Sequence, residues 1–340
     1  RAFLNGRLDL AEAEAVAALV GARSERARRV ALRQLSGSLG DAVRSLHGRC
    51  VAALADVEAR LDFPDEELVA FGVEDIVASL ARARDDIVAL LAQAPSGRLA
   101  REGARVVLVG RPNVGKSSLL NALLGRERAI VHEQPGTTRD YLEDELSAGG
   151  VALTIVDTAG QRSEVEPAEA LGALRGLEQA RTADLALLVI NLADGITEDD
   201  LRLADELRKT ELALVLNQRD RVTEDELGRV AEPRDDVIAV TVASTGEGVE
   251  TLRRALLERF GGEDASFDEL PLVSEQRHED ALRTARDALQ EALGLMAEGA
   301  AEDLVALELR QAAAALGAIV GLGVTEEVLE AIFSRFCIGK

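Results

Sequence analysis

Through the first part of the chain, apolar residues recur every three to four positions, the spacing that lines one face of a helix. Asp9 followed by Glu12 makes a capping-box start, and helical spacing continues from Ala11 to Leu46. A second helix is predicted from about Val51 to Leu61, stopped by Asp62-Phe63-Pro64-Asp65, and a third from Val73 to Ala92. Ala94-Pro95-Ser96-Gly97 reads as a linker, because proline brings no amide donor and glycine adds backbone freedom.

The pattern changes at Ala104. Arg105-Val106-Val107-Leu108-Val109 is a short, nearly continuous apolar run that enters a glycine-rich loop, the pattern of a strand buried on both faces. Similar runs follow at Ala152 to Val156, Leu185 to Asn191, Leu212 to Asn217 and Val237 to Val242, with helical stretches between them. That alternation predicts a mostly parallel sheet with helices on its faces. The region closes near Phe260-Gly261-Gly262, and helical spacing resumes over Glu275 to Ala297 and Ala301 to Leu316. Thr325 caps a last short helix, Glu326 to Phe336. No internal repeat is evident. The expected fold is α/β plus all-α, with an α/β domain at residues 101–262 inserted into a helical domain built from residues 1–100 and 263–340.

Gly110-Arg111-Pro112-Asn113-Val114-Gly115-Lys116-Ser117 matches the P-loop pattern between a predicted strand and a predicted helix. Glycines let backbone amides wrap phosphates, and the following helix N-terminus adds its positive end. Lys116 would reach the outer phosphates and Ser117 would ligate Mg²⁺. Asp157-Thr158-Ala159-Gly160 ends a later strand, where an acid can hold Mg²⁺ through water and the Gly160 amide can meet a terminal phosphate. Thr138, in Thr137-Thr138, is placed to close over the metal. Asn217-Gln218-Arg219-Asp220 follows another strand. A carboxylate at Asp220 can pair with guanine donors that adenine does not offer, with Asn217 bracing the loop and Ala243 adding a backbone donor. In this order, each at a strand end, these motifs point to GTP and a Ras-like P-loop GTPase domain.

Composition narrows the rest. A length of 340 residues suits two domains or one domain with an insertion. The formal net charge of −22 argues against a general nucleic-acid binder, since phosphate contacts need clustered Lys and Arg. Two distant cysteines, Cys50 and Cys337, and three scattered histidines give neither a disulfide framework nor zinc spacing, so a cytoplasmic protein is expected. No stretch approaches the roughly 20 apolar residues of a membrane span. The start at Arg1 is no signal peptide, lacks an initiator Met and begins mid-pattern, so a truncated or cleaved chain is expected.

The chain resembles the MnmE (TrmE) family of tRNA-modification GTPases. The matching segments are RAFLNGRLDLAEAEAVA, LDFPDEE, GRPNVGKSSLLNALLGRERAIV, PGTTRD, DTAG, TGEG and the terminal IFSRFCIGK. The helical arms and the FCIGK end are more specific than the GTPase motifs. The resemblance begins at the trailing edge of the family's N-terminal dimerisation and folate-binding domain.

The resemblance implies GTP binding and hydrolysis with Mg²⁺ and K⁺, driven by pairing of G domains across a homodimer. It implies work with the FAD-containing protein MnmG on the wobble uridine of tRNA, at carbon 5, using a one-carbon unit from folate. The implied nucleotide-binding residues are Asn113, Val114, Gly115, Lys116, Ser117, Ser118, Thr137, Thr138, Asp157, Gly160, Asn217, Asp220 and Ala243. Ser117 and Thr138 would hold Mg²⁺; the Asn113 side chain with His132, Gln134 and Thr137 would hold K⁺, supplying charge where no arginine finger is present. Arg7 and Lys340 match positions that contact 5-formyltetrahydrofolate, a half-site expected to bind poorly without the N-terminal domain. Cys337 is a candidate functional thiol.

Gln218 stands where the family usually has Lys, and Val242-Ala243-Ser244 where Ser-Ala-Lys is typical. A modest loss of nucleotide affinity is expected, with guanine selection kept by Asp220. Around DTAG, the residues alone leave Gln161, Glu164, Glu166 and Glu169 open as the group that handles the attacking water. The resemblance points to Glu169, with Gln161 as runner-up by analogy to Ras-like GTPases. Two other readings compete. An Era-like ribosome-assembly GTPase would need a basic RNA-binding domain after the G domain, unlike the acidic, Ala-rich helices here. A nucleotide-gated scaffold would bind GTP and turn it over negligibly.

Overall fold

The computed structural model describes residues 2, 3, 5–62, 72–125, 143–148, 151–157, 176–230, 236–260 and 272–323. The chain divides into two compact units, one of Arg1–Arg101 with Asp264–Lys340 and one of Glu102–Glu263.

The first unit is helical: α1 (Leu10–Val20), α2 (Glu25–Leu35), α3 (Ser38–Asp62) and α4 (Val73–Glu102), then α9 (Gln276–Glu298) and α10 (Glu302–Val320) from the far end of the sequence. Asp9 caps α1 in a capping box with Glu12, as its spacing predicts. The single helix expected from Ala11 to Leu46 is instead three. Gly21 ends α1, the Ser24 side chain accepts from the Ala27 amide to start α2, and Gly37 turns the chain at φ +85° before α3. Helical spacing persists across such breaks, so periodicity alone conceals them.

The core of this unit follows a stricter rule than simple amphipathicity. Buried positions on α3 run Leu39, Val43, Leu46, Cys50, Ala53 and Val57; on α4, Ile76, Leu80, Ala83, Ile87, Leu90 and Ala94. Steps of four and three alternate, the period that keeps one seam facing a partner helix over many turns. α10 repeats it at Val305, Leu309, Ala312, Leu316 and Ile319, and these stripes, with α9, form one apolar cluster. Cys50 lies within it, and burial pushes its thiol up to about 11, which removes it as a nucleophile.

The expected linker at Ala94–Gly97 is corrected here: α4 runs unbroken through Pro95. Pro95 itself is exposed, while Ala94, Gly97 and Ala100 continue the buried stripe. The last turns are then held in three ways. Gly97 lies so close to the chain at Val273 that a Cβ would sit 2.1 Å from its carbonyl oxygen. Ala100 packs with Val30 and Leu272. Arg101 pairs with Glu275. Gln34, buried, donates to Ser274 Oγ at 2.8 Å and fixes the same returning segment.

One part-buried ionic cluster joins α1, α9 and α10. Arg277 donates to Glu14 Oε2 at 2.8 Å and to the Ala318 carbonyl at 2.7 Å, and His278 Nε2 lies 2.9 Å from the same Glu14 oxygen. Burial works against the Glu14 carboxylate, but hydrogen bonds from His278 and Arg277 outweigh it and hold its pKa below the ordinary value.

The second unit is a six-stranded sheet in the order β2-β3-β1-β4-β5-β6. The strands are β1 (Ala104–Val109), β2 (Glu143–Ala148), β3 (Val151–Asp157), β4 (Leu185–Asn191), β5 (Leu212–Asn217) and β6 (Val237–Thr241). Only β2, against β3, is antiparallel. The helices here are α5 (Lys116–Leu124), α6 (Glu198–Glu206), α7 (Glu224–Val230) and α8 (Val249–Phe260). Every residue of β4 is buried, as its unbroken apolar run predicts. β2 reads Glu-Asp-Glu-Leu-Ser-Ala and pairs through its backbone at the sheet edge, which is why no apolar run announced it. From β1 the chain builds towards β3 on one side and β4 on the other, so the order reverses beside β1, the usual place for a ligand crevice.

Gly97→Ala is expected to lower stability by about 1–3 kcal/mol through overpacking against Val273, read by urea unfolding. Glu14→Gln tests the ionic cluster by pH. Because the folded-state pKa of Glu14 is lowered, its contribution is present above the ordinary carboxylate range and is lost as pH falls through the folded value. The stability gap between wild type and Glu14→Gln should therefore be full near neutrality and close below about pH 4.

Candidate functional site

Loops leave the carboxyl ends of β1, β5 and β6, and β3 ends beside them at Asp157. Register places these ends together: Leu108 pairs with Asp157, Asn191 with Asn217, and Asn217 with Thr241. The first loop needs two glycines for separate reasons. Gly110 has φ +143°, and a Cβ there would meet the Val189 carbonyl oxygen at 2.5 Å. Gly115 has φ +96°, and a Cβ there would lie 2.3 Å from Asn217 Nδ2. As the N-cap of α5, Gly115 brings no capping side chain, so the first-turn amides keep their donors for an anion.

Lys116 opens α5 and is buried, with Nζ donating to the carbonyls of Gly110 and Arg111 at 2.8 Å each. Burial draws its ammonium below the ordinary lysine range, and the Asp157 charge opposes that shift. Ser117 Oγ donates to Asp157 Oδ2 at 2.6 Å, joining the P-loop helix to the end of β3.

Asn217, almost fully buried, joins three loops. Its Nδ2 donates to the Val114 carbonyl at 2.9 Å, and its Oδ1 accepts from Thr241 Oγ1 at 3.0 Å and from the Ala243 amide at 3.1 Å. In this structure the Ala243 amide braces Asn217. Asp220 is exposed beside an open groove of about 550 Å³ that it lines with Val242 and Gly248. Ser118 is exposed on the first turn of α5, and Asn113 is exposed in the P-loop at φ +66°.

Comparison with known proteins adds whole-chain likeness to this geometry. A family model for the MnmE helical domain matches residues 10–337. The tRNA modification GTPase MnmE of a Synechococcus species is 42% identical over 342 residues, covering 100% of this chain and 74% of that protein. The protein of the same name from Moorella thermoacetica is 42% identical over 349 residues, with the same coverage. The chain belongs to the MnmE family of tRNA modification GTPases. Among solved structures, the G domain of the T. maritima FeoB iron transporter aligns at 25% identity and a TM-score of 0.34, over 47% of this chain and 99% of that one. Aquifex aeolicus Era aligns at 21% identity and a TM-score of 0.37, over 54% of this chain and 66% of that one.

As a member of the MnmE family the chain is a GTPase, and its P-loop residues suit Mg²⁺. Among the described residues no group of three His, Cys, Asp or Glu could hold a metal alone. A hydroxyl and a carboxylate at Ser117 and Asp157 suit an ion that keeps several waters and takes its other ligands from phosphates. Thr137, Thr138, His132, Gln134, Gly160, Gln161, Glu169, Cys337 and Lys340 lie outside the described residues. Arg7 is exposed ahead of α1, its backbone amide bonded to the Ala2 carbonyl. No helix of the described residues is long and apolar enough to cross a membrane.

One part of the MnmE-type loop was missed by sequence reasoning. Arg111 pairs with Asp194 at 3.1 Å and with Asp200 at 3.2 Å, and the Asp200 side chain is fully buried. Asp200 also takes the Thr197 amide and hydroxyl in a capping box at the start of α6. The Thr-x-x-Asp spacing was readable as a helix start, but nothing in the sequence linked it to the P-loop. Arg111→Ala would leave a buried carboxylate short of its cation. Discounted for the partial exposure of Arg111, a loss of about 1–3 kcal/mol is expected, measurable as a lower denaturation midpoint with weaker GDP binding.

Proposed function

We propose that this chain hydrolyses GTP to drive modification of the tRNA wobble uridine at carbon 5, together with the FAD-containing protein MnmG. The observation that carries the reading is the combination of whole-chain identity with MnmE proteins and a loop set joined through Asn217 at one sheet edge. The acidic balance of the chain fits a protein that reaches tRNA through a partner. A cytoplasmic setting follows from the same role.

In this reading the amides of the P-loop and the first turn of α5 bind the phosphates, and Lys116 moves its ammonium from the loop carbonyls to the outer phosphates. Ser117 and Thr138 hold Mg²⁺, with Asp157 acting through water. Asp220 accepts from guanine, and Asn217 keeps its loop against the P-loop. The Asn113 side chain with His132, Gln134 and Thr137 holds K⁺. Bound there, the cation supplies positive charge to the phosphates as they are cleaved. Glu169 orients the attacking water once G domains pair in a homodimer, with Gln161 as the alternative. Arg7 and Lys340 are a half-site for 5-formyltetrahydrofolate that binds poorly by itself, and Cys337 is a candidate functional thiol.

The decisive test is GTP turnover in K⁺ against Na⁺, with and without MnmG. Faster turnover in K⁺ is expected, and equal rates would remove the K⁺ assignment. Glu169→Ala should lower kcat by about 10²-fold or more while leaving GDP affinity unchanged. A variant Gln161→Leu that loses turnover while Glu169→Ala keeps it would reverse the two roles. Negligible wild-type turnover with partner binding retained in Lys116→Ala would make the protein a nucleotide-gated scaffold.

A further inference from the structure

The acidic balance of the chain has one local exception. Between Glu14 and Asp41 the sequence holds a single acid, Glu25, against five arginines, Arg23, Arg26, Arg28, Arg29 and Arg33, in a protein of net charge −22. All of these arginines except Arg23 lie on α2. Ala27, Val30, Ala31 and Gln34 of that helix are buried, so its opposite face is turned outward. Arg26, Arg29 and Arg33 follow one another along the outer face at steps of three and four, with neighbouring Cβ atoms about 5–6 Å apart.

The acids around this helix are already engaged. Glu25 accepts from Arg28 at 3.0 Å and 2.6 Å. On α1, Glu12 accepts from the Asp9 amide, and Glu14 faces Arg277 and His278. Asp41 pairs with Arg44. The end of α4, packed on α2 through Ala100 and Val30, brings Arg98 and Arg101 with Glu102, and Glu275 pairs with Arg101. Among the described residues, Arg33 Nη1 has no hydrogen-bond partner. The rest of the negative charge acts weakly here, because at about 0.15 M salt exposed charges more than about 8 Å apart are screened.

The basic residues of this face are all arginine. A guanidinium fork gives two parallel hydrogen bonds to one phosphate, where lysine offers a point charge. A row of three suits a polymer with a phosphate at every unit better than a single anion, and the RNA substrate of this family is such a polymer. We propose that the outer face of α2 is a docking surface for the phosphate backbone of tRNA, with Arg26, Arg29 and Arg33 as its contacts. The inference rests on the tRNA-modification reading above and adds to it that tRNA touches this chain directly as well as its partner. Backbone contacts of this kind carry no sequence information, so the surface orients the tRNA and does not select it.

The test is the salt dependence of tRNA binding, followed with a fluorescently labelled tRNA transcript, for the full chain alone and in complex with MnmG. Each phosphate contact contributes about −0.7 to −0.9 to the slope of log affinity against log salt. Arg29→Gln combined with Arg33→Gln should flatten that slope by about 1.5–2 and weaken binding about ten-fold or more near 0.1 M salt, with the melting temperature and GTP turnover of the wild type. Arg202→Gln combined with Arg208→Gln removes the same charge from two exposed positions of the nucleotide unit and should leave the slope unchanged. An unchanged slope in the α2 variant, or an equal loss in the control, overturns the proposal. Weaker assembly with MnmG at an unchanged tRNA slope overturns it too, and makes an acidic protein surface the occupant. A wild type that binds no tRNA in either form fails the tRNA reading itself, whereas tRNA binding that ignores the α2 variant removes this surface alone.

Discussion

The nucleotide loops depend on one buried side chain, the carboxamide of Asn217. A buried amide must satisfy its donor and acceptor or destabilise the fold. Asn217 does so by binding three groups on two separate segments: Val114 of the P-loop, and Thr241 and Ala243 at and just beyond the end of β6. Those partners are within reach only because β4, β5 and β6 pair in parallel register, with Asn191, Asn217 and Thr241 level at the sheet's carboxyl edge. The glycine at 115 belongs to the same constraint, since a Cβ there would displace the Asn217 amide. Sheet register, P-loop glycine and the loop after β5 are thus one interdependent arrangement.

Around that centre the P-loop is held on opposite flanks by different chemistry. Arg111 ties one side to Asp194 and the buried Asp200. Gln218 ties the other side at Asn113 through a neutral amide. Lys116 and Ser117 follow these positions, with the lysine ammonium on loop carbonyls and the serine hydroxyl on Asp157. These bonds hold the P-loop backbone that leads into α5.

The helical unit relies on a different device. Its stripes advance by four and three, which commits α3, α4 and α10 to long contact seams, and its core is rich in alanine, so backbones can approach closely. This unit is made from both ends of the chain. The returning segment at residues 272–275 is accordingly fixed by specific contacts, to Gln34, to the bare backbone of Gly97 and to Arg101. The Glu14–Arg277–His278 cluster does the same for α1, and it completes the bonding of carbonyls at the end of α10.

Local pattern determined much of this protein. The apolar runs ending in Gly110, Asn191 and Asn217, the P-loop spacing, the capping box at Asp9 and the seams of the long helices are all written in contiguous residues, because each rests on a short-range rule of periodicity or backbone conformation. Pro95 and Gly97 looked like a linker for the same reason: local rules see a missing donor and a flexible residue, not the Val273 carbonyl that only a glycine can admit. The edge strand β2 carried no apolar signal, since its pairing is through the backbone. The bonds of Arg111 to Asp200, Gln218 to Asn113 and Asn217 to Ala243 join positions far apart in sequence. Only tertiary structure decided them, because no short-range rule states which distant carbonyl or carboxylate the fold will place within hydrogen-bond reach.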